Sequence, residues 1–282
     1  MISVPSRLVS TQWLEDNIES PKIRLLDASW YLPNEDRDAY SEYLKNHISG
    51  ANFFDIDAFS DPDSVLPHMA PSVERFGLEV SKLGIDKSDQ VVIYDGAGLF
   101  SAARAWWLFE LFGVCNTCIL DGGLPKWVSE GRSLESKIKR NLGTSDIVPK
   151  MRHSWLCDWR QVKKLAEEDP KQIVDARSKD RFHGRAPEPR PGLRSGHIPK
   201  TTNICFQELL NDDKSLKNRV ALKRIFYAKG VNLEKQIITS CGSGVTAAIL
   251  AFALYLLGAK NVALYDGSWC EWGARYDLDV ET

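Results

Sequence analysis

Apolar residues in this chain fall into short runs rich in β-branched side chains, separated by longer stretches of helix formers. Leu25-Leu26-Asp27-Ala28, Gln90-Val91-Val92-Ile93-Tyr94, Ile173-Val174-Asp175-Ala176 and Ile237-Ile238-Thr239-Ser240 read as short buried strands. Ala247 to Leu257 is apolar throughout and reads as a buried helix, since it is too short to cross a bilayer. Ser10 and Asp158 are good N-caps for helices opening at Thr11-Gln12-Trp13-Leu14 and Trp159-Arg160-Gln161-Val162. Strands alternating with helices in this way predict an α/β fold built on a mainly parallel sheet flanked by helices.

The pattern is written twice. An aspartate closes a strand 17 residues after each cap, at Asp27 and Asp175. His47-Ile48 answers His197-Ile198, and the strand ending at Asp95 answers the one ending at Cys241. Eight residues beyond Gly113 and Gly258 come Asp121 and Asp266, and six residues further Trp127 and Trp272. These spacings predict two tandem copies of one α/β domain, over residues 1–135 and 154–282. Residues 136–153 match neither copy and read as a linker. Residues that recur in both copies, His47 and His197 or Asp27 and Asp175, read as structural.

Where the copies differ, chemistry is expected. In the second, a strand, one cysteine, two glycines and a helix follow one another: Cys241-Gly242-Ser243-Gly244-Val245-Thr246. A glycine-rich turn entering a helix forms a cup of backbone N–H groups with partial positive charge, which favours anions and a thiolate. In the first copy Asp95 takes the place of Cys241, and the turn Gly96 to Ser101 is one residue longer. A carboxylate is no sulfur nucleophile and repels anions, so the first copy reads as catalytically silent.

The Cys241–Thr246 loop resembles the active-site loop of the rhodanese superfamily, most closely that of its 3-mercaptopyruvate sulfurtransferases. Asp266-Gly267-Ser268-Trp269, Gly196-His197-Ile198-Pro199 and Phe53-Phe54-Asp55-Ile56-Asp57 also resemble that family, so the likeness spans nearly the whole chain. It implies two rhodanese-like domains and transfer of sulfur from 3-mercaptopyruvate through a Cys241 persulfide to a thiol or cyanide, with release of pyruvate. The resemblance gives Ser243, His68 and Asp57 as a proton relay beside the nucleophile Cys241. Arg181 and Arg190 become substrate-binding arginines, with Gly242, Gly244, Val245 and Thr246 lining the substrate. Thr246 could equally cap the following helix. From composition alone, the Arg-rich and Pro-rich segment Asp180–Arg190 would read as solvated surface. Gly242 and Ser243 replace the basic side chains of a rhodanese proper, which favours 3-mercaptopyruvate over the thiosulfate dianion.

Rival chemistries fit less well. A Cys-x5-Arg phosphatase needs arginine where Ala247 stands, and Gly-x-Ser-x-Gly fails on both sides of Ser243. A thiosulfate:cyanide sulfurtransferase and a non-catalytic rhodanese-type binding module remain as alternatives. A net charge of −2 and a pI near 6.2 argue against a nucleic-acid partner. Six cysteines at irregular positions indicate reduced thiols, not a disulfide framework, and the Cys115-x-x-Cys118 spacing has no second pair to make a zinc site. No metal or cofactor is expected. The opening residues lack the apolar core of a secretory signal, so the expected location is cytoplasmic, with a mitochondrial pool as the alternative.

Overall fold

The computed structural model describes residues 6–114, 116–136 and 145–282. The chain divides into two compact units. The first comprises residues up to Pro62, Pro71–Arg152 and Asn211–Leu216; the second comprises Asp63–Ala70, His153–Leu210 and Lys217–Thr282. Each therefore holds a short segment that the chain order alone would give to the other.

In the first unit the elements run β1 (Leu8–Val9), α1 (Thr11–Asn17), β2 (Ile23–Asp27), α2 (Ala39–Lys45), β3 (His47–Ile48), β4 (Asn52–Phe53) and α3 (Val73–Lys82). They continue with β5 (Gln90–Tyr94), α4 (Ala102–Leu111), β6 (Thr117–Leu120), α5 (Gly123–Ser129) and β7 (Leu134–Glu135). Strands β1-β6-β5-β2-β4 form one sheet, parallel throughout, and β3 pairs antiparallel with β7. The second unit holds β8 (Leu156–Cys157), α6 (Trp159–Glu168), β9 (Ile173–Asp175), α7 (Lys179–Phe182) and β10 (Thr202–Asn203). After these come α8 (Arg219–Ala228), β11 (Ile237–Ser240), α9 (Ala247–Leu257), β12 (Val262–Tyr265) and α10 (Ser268–Trp272). Its sheet, β8-β12-β11-β9-β10, is also wholly parallel. Strand for strand it repeats the first, so the two α/β copies legible in the sequence share one topology.

The local signals act as expected. Ser10 Oγ accepts the Trp13 amide at 3.1 Å, and Asp158 forms a capping box with Gln161. Every residue of β11 is buried, which a parallel strand covered on both faces requires. Ile238, Ala263 and Tyr265 pack with Val162, Leu165 and Trp269 in one cluster, and α9 lies on β11 and β12. Burying the apolar side chains of α9 contributes on the order of 1.5–3 kcal/mol for each large one, before the cost of ordering the chain.

The paired histidines are held in the same way in both copies. His47 Nδ1 lies 2.7 Å from Tyr43 O, and His197 Nδ1 lies 2.8 Å from Phe182 O. His47 is a register partner of Glu135 across β3 and β7, and His197 of Glu281 in an isolated bridge. Of the stretch read as a linker, residues 137–144 lie outside the described residues, as does Cys115. Residues 145–152 are bonded to the first unit: Lys150 N donates to Phe112 O at 3.0 Å and Arg152 N to Leu111 O at 2.7 Å.

Candidate active site

Parallel strands bring their carboxyl ends to one edge, and a crevice there is where α/β sheets place ligands. In the second unit that edge carries Asp175 at the end of β9, Cys241 after β11 and Asp266 after β12. Cys241 is 2% exposed. Its amide donates to Ser268 Oγ at 3.1 Å, and its carbonyl accepts the Trp269 amide at 3.0 Å. Cys270 N donates to Gly242 O at 2.8 Å. The loop is thus pinned to the start of α10, while Gly244 turns it at φ +78°, where L side chains are strained.

Among the described residues, the amides of Gly242 through Thr246 meet no protein acceptor. Buried N–H groups of this kind are costly unless something else accepts from them. The first unit displays the same cup already filled. There Asp95 accepts Ala97 N at 2.9 Å, Phe100 N at 2.8 Å, Ser101 N at 2.9 Å and Ala102 N at 2.8 Å. The amides converge on the side chain of the residue that ends the strand. Cys241 stands at the same place after its strand, with a sulfur where Asp95 has its carboxylate.

Thr246 does not cap α9 with its hydroxyl: it stands at the N-cap in a right-handed helical conformation (φ −75°, ψ −19°) with no side-chain bond to the helix. The β-region backbone that lets an N-cap hydroxyl reach the N2 or N3 amide is absent there. Val245 is buried, and Ser243 is 4% exposed. Ser243 Oγ lies 3.0 Å from Nδ1 of His68, a buried histidine at φ +60°. These two site candidates, 175 residues apart, are therefore brought together. Asp57 belongs to the first unit, where it is exposed and its amide donates to Asp55 Oδ1 at 2.9 Å.

Arg181 reaches the loop from α7. A Cβ added to Gly242 would lie 2.9 Å from Arg181 Nη2, so the guanidinium rests on the glycine. Its Nη2 and Nε donate to Glu188 at 2.5 and 3.3 Å. Glu188 Oε1 also accepts Arg177 Nη1 at 2.8 Å, and Arg177 donates to both carboxylate oxygens of Asp175. Asp175, Arg177, Glu188 and Arg181 make a charge-balanced chain from the end of β9 to the loop. Arg190 is partly buried and close enough to Cys270 to oppose the effect of burial on that thiol. Burial nonetheless pushes the Cys270 thiol up to about 11, so the neighbour of Cys241 stays protonated at neutral pH. His183 and Arg185 are exposed, and Arg185 pairs with Asp180 at 3.0 Å.

Residues 10–130 and 158–275 each match the rhodanese-like domain. The chain belongs to the rhodanese-like family. Among its rhodanese-like relatives, thiosulfate/3-mercaptopyruvate sulfurtransferase 1, mitochondrial, of Arabidopsis thaliana is 43% identical, over all of this chain and 79% of that protein. The 3-mercaptopyruvate sulfurtransferase of Escherichia coli K12 is also 43% identical, over 97% of each chain. The crystal structure of SseA from Escherichia coli superposes with a TM-score of 0.85 at 40% identity, covering 94% of this chain and 99% of that one. Several residues of this rhodanese-like site escaped the sequence reading. Glu188 carried only the signal of the charged, proline-rich segment Asp180–Arg190, and Arg177 lies just before that segment with no signal of its own. Ser268 lies within the quoted Asp266–Trp269 motif, and nothing in the sequence ties its hydroxyl to the Cys241 amide.

Proposed function

We propose that this chain is a sulfurtransferase that moves sulfur from 3-mercaptopyruvate through a Cys241 persulfide to a thiol or cyanide. The observation that carries the reading is the N–H cup, closed on Asp95 in one copy and presenting Cys241 in the other. The Cys241 thiolate attacks the substrate sulfur, and the S–S bond forms as the C–S bond breaks. The electron pair passes to carbon, and the keto group holds it as the enolate of pyruvate, which then takes a proton on carbon. His68 and Ser243 form the proton path, with Asp57 as its third member. The loop amides hold the charge of the persulfide, whose outer sulfur is handed to the acceptor while its electron pair returns to Cys241.

Arg181 and Arg190 take the substrate carboxylate, with Gly242, Gly244, Val245 and Thr246 around the reacting sulfur. Because Arg181 is already balanced by Glu188, the loop gains little net charge from it. The second negative charge of thiosulfate stays uncompensated, which favours 3-mercaptopyruvate. Acceptors are a thioredoxin, a small thiol or cyanide. The expected compartment is the cytoplasm with a mitochondrial pool as the alternative; no helix among the described residues is long and apolar enough to cross a membrane.

Intact mass spectrometry after 3-mercaptopyruvate without acceptor tests the reading. One sulfur should appear on Cys241 and none on Cys241→Ser, which should lose turnover and keep its melting temperature. Equal kcat/KM for thiosulfate and 3-mercaptopyruvate would overturn the donor assignment and leave the sulfur carrier standing.

A further inference from the structure

The histidine that meets Ser243 comes from Asp63–Ala70, a short segment of the second unit flanked in the chain by the first. Something must hold that segment in register with the loop. His68 itself sits in the left-handed region at φ +60°, where L residues are strained, so its position is imposed from outside. Two residues on, the Ala70 amide donates to Asp266 Oδ2 at 2.6 Å. Asp266 is 1% exposed at the carboxyl end of β12, which pairs with β11, the strand that leads into Cys241.

The first unit repeats the device. There Asp121, which occupies the position of Asp266, accepts the Leu216 amide at 2.7 Å through Oδ1. Leu216 belongs to Asn211–Leu216, the short segment grouped with the first unit. Two residues before it stands Lys214, also left-handed at φ +67°. Its stem lies against the turn after β5, since a Cβ added to Gly98 would sit 2.3 Å from Lys214 Cβ. In each unit an aspartate just after a strand, buried in the second and partly buried in the first, clamps a segment so that a left-handed residue two positions upstream faces the loop. Only the delivered residue differs: lysine against the cup filled by Asp95, histidine against the cup of Cys241.

We propose that Asp266 is a positioning residue for the sulfurtransferase reaction: through the Ala70 amide it fixes His68 on Ser243. The proposal rests on the reading of Ser243 and His68 as the proton path. Misplacing a reacting group by about an ångström can cost on the order of 100-fold. Asp266→Ala should therefore lower kcat with 3-mercaptopyruvate by about 10- to 100-fold, with KM much less affected. The loss should disappear when His68 is already alanine, because Asp266 acts only through it. Asp266→Asn keeps an acceptor oxygen for Ala70 and should recover most of the rate. Asp121→Ala removes the equivalent clamp from the first unit and should leave kcat unchanged. A full rate for Asp266→Ala, an equal loss in the His68→Ala background, or an Asp266→Asn as slow as the alanine variant would each overturn the proposal. A full rate for His68→Ala itself would instead overturn the proton path on which it rests.

Discussion

At the scale of single residues, the contact that most constrains the candidate site is between a glycine and an arginine. Gly242 has an ordinary negative φ, so alanine can adopt its backbone, but the added methyl would approach Arg181 Nη2 to 2.9 Å. The side chain must give way, and it can do so only by loosening its bonds to Glu188. Gly242→Ala should therefore leave the melting temperature nearly unchanged and weaken binding of the substrate carboxylate. One charge-assisted hydrogen bond is worth about 1.5–3 kcal/mol, or roughly 10- to 100-fold in KM. Steady-state kinetics with 3-mercaptopyruvate checks this, and an unchanged KM would detach Arg181 from substrate binding. The sequence made the small, neutral loop legible, because glycine and serine next to a cysteine state it directly. It did not make legible that a guanidinium fills the space the glycine leaves. That space is created by packing of α7, not by the loop.

Among the secondary-structure elements, the strand-end aspartates separate the copies. Asp175 is paired with Arg177, whereas Ser29 stands at the same spacing after Asp27. Asp27 accepts the Ser29 amide at 3.0 Å and the Ser29 hydroxyl, with no cation in the role of Arg177. Burial, only partly opposed by these bonds, pushes Asp27 up to about 6. Because this folded-state value lies above the ordinary carboxylate value, the folded protein holds the proton more tightly than the unfolded chain. The resulting stabilisation is complete below about pH 4 and lost as pH rises through about 6, an effect of about 3 kcal/mol. Asp27→Asn removes this titration. Relative to wild type it should gain unfolding free energy between pH 4 and pH 7, read from denaturant midpoints at the two pH values. A difference that does not change with pH would refute the argument. Asp175→Asn should behave oppositely at neutral pH, because it weakens a buried pair whose disruption costs about 3–5 kcal/mol. Both aspartates were legible as buried strand ends, since the repeat places them at one spacing. Which partner each carboxylate meets, Ser29 or Arg177, is decided by one neighbouring side chain in each copy.

For the molecule as a whole, two copies of one fold carry one proposed sulfur carrier, and the physical reason extends beyond the missing thiol. The repeat, the caps and the strand order were legible because they are local patterns written twice. The grouping of Asp63–Ala70 with the second unit and Asn211–Leu216 with the first was not, because no local pattern records which sheet a loop joins. That grouping gives His68 to one cup and Lys214 to the other. The first cup also has Pro33 at the spacing of Arg181, six residues after its strand-end aspartate, and a longer turn closed on Asp95. Placing a thiol there should not make a second carrier. In the Cys241→Ser background, Asp95→Cys is expected to take up no sulfur from 3-mercaptopyruvate and to show no turnover. It should also be less stable, because four amides lose their carboxylate at about 1–3 kcal/mol for each one left unsatisfied. Intact mass and a denaturant midpoint measure both outcomes on one sample. Sulfur added at position 95 would mean that the amide cup alone suffices, and that neither the histidine nor the arginine is needed to load it.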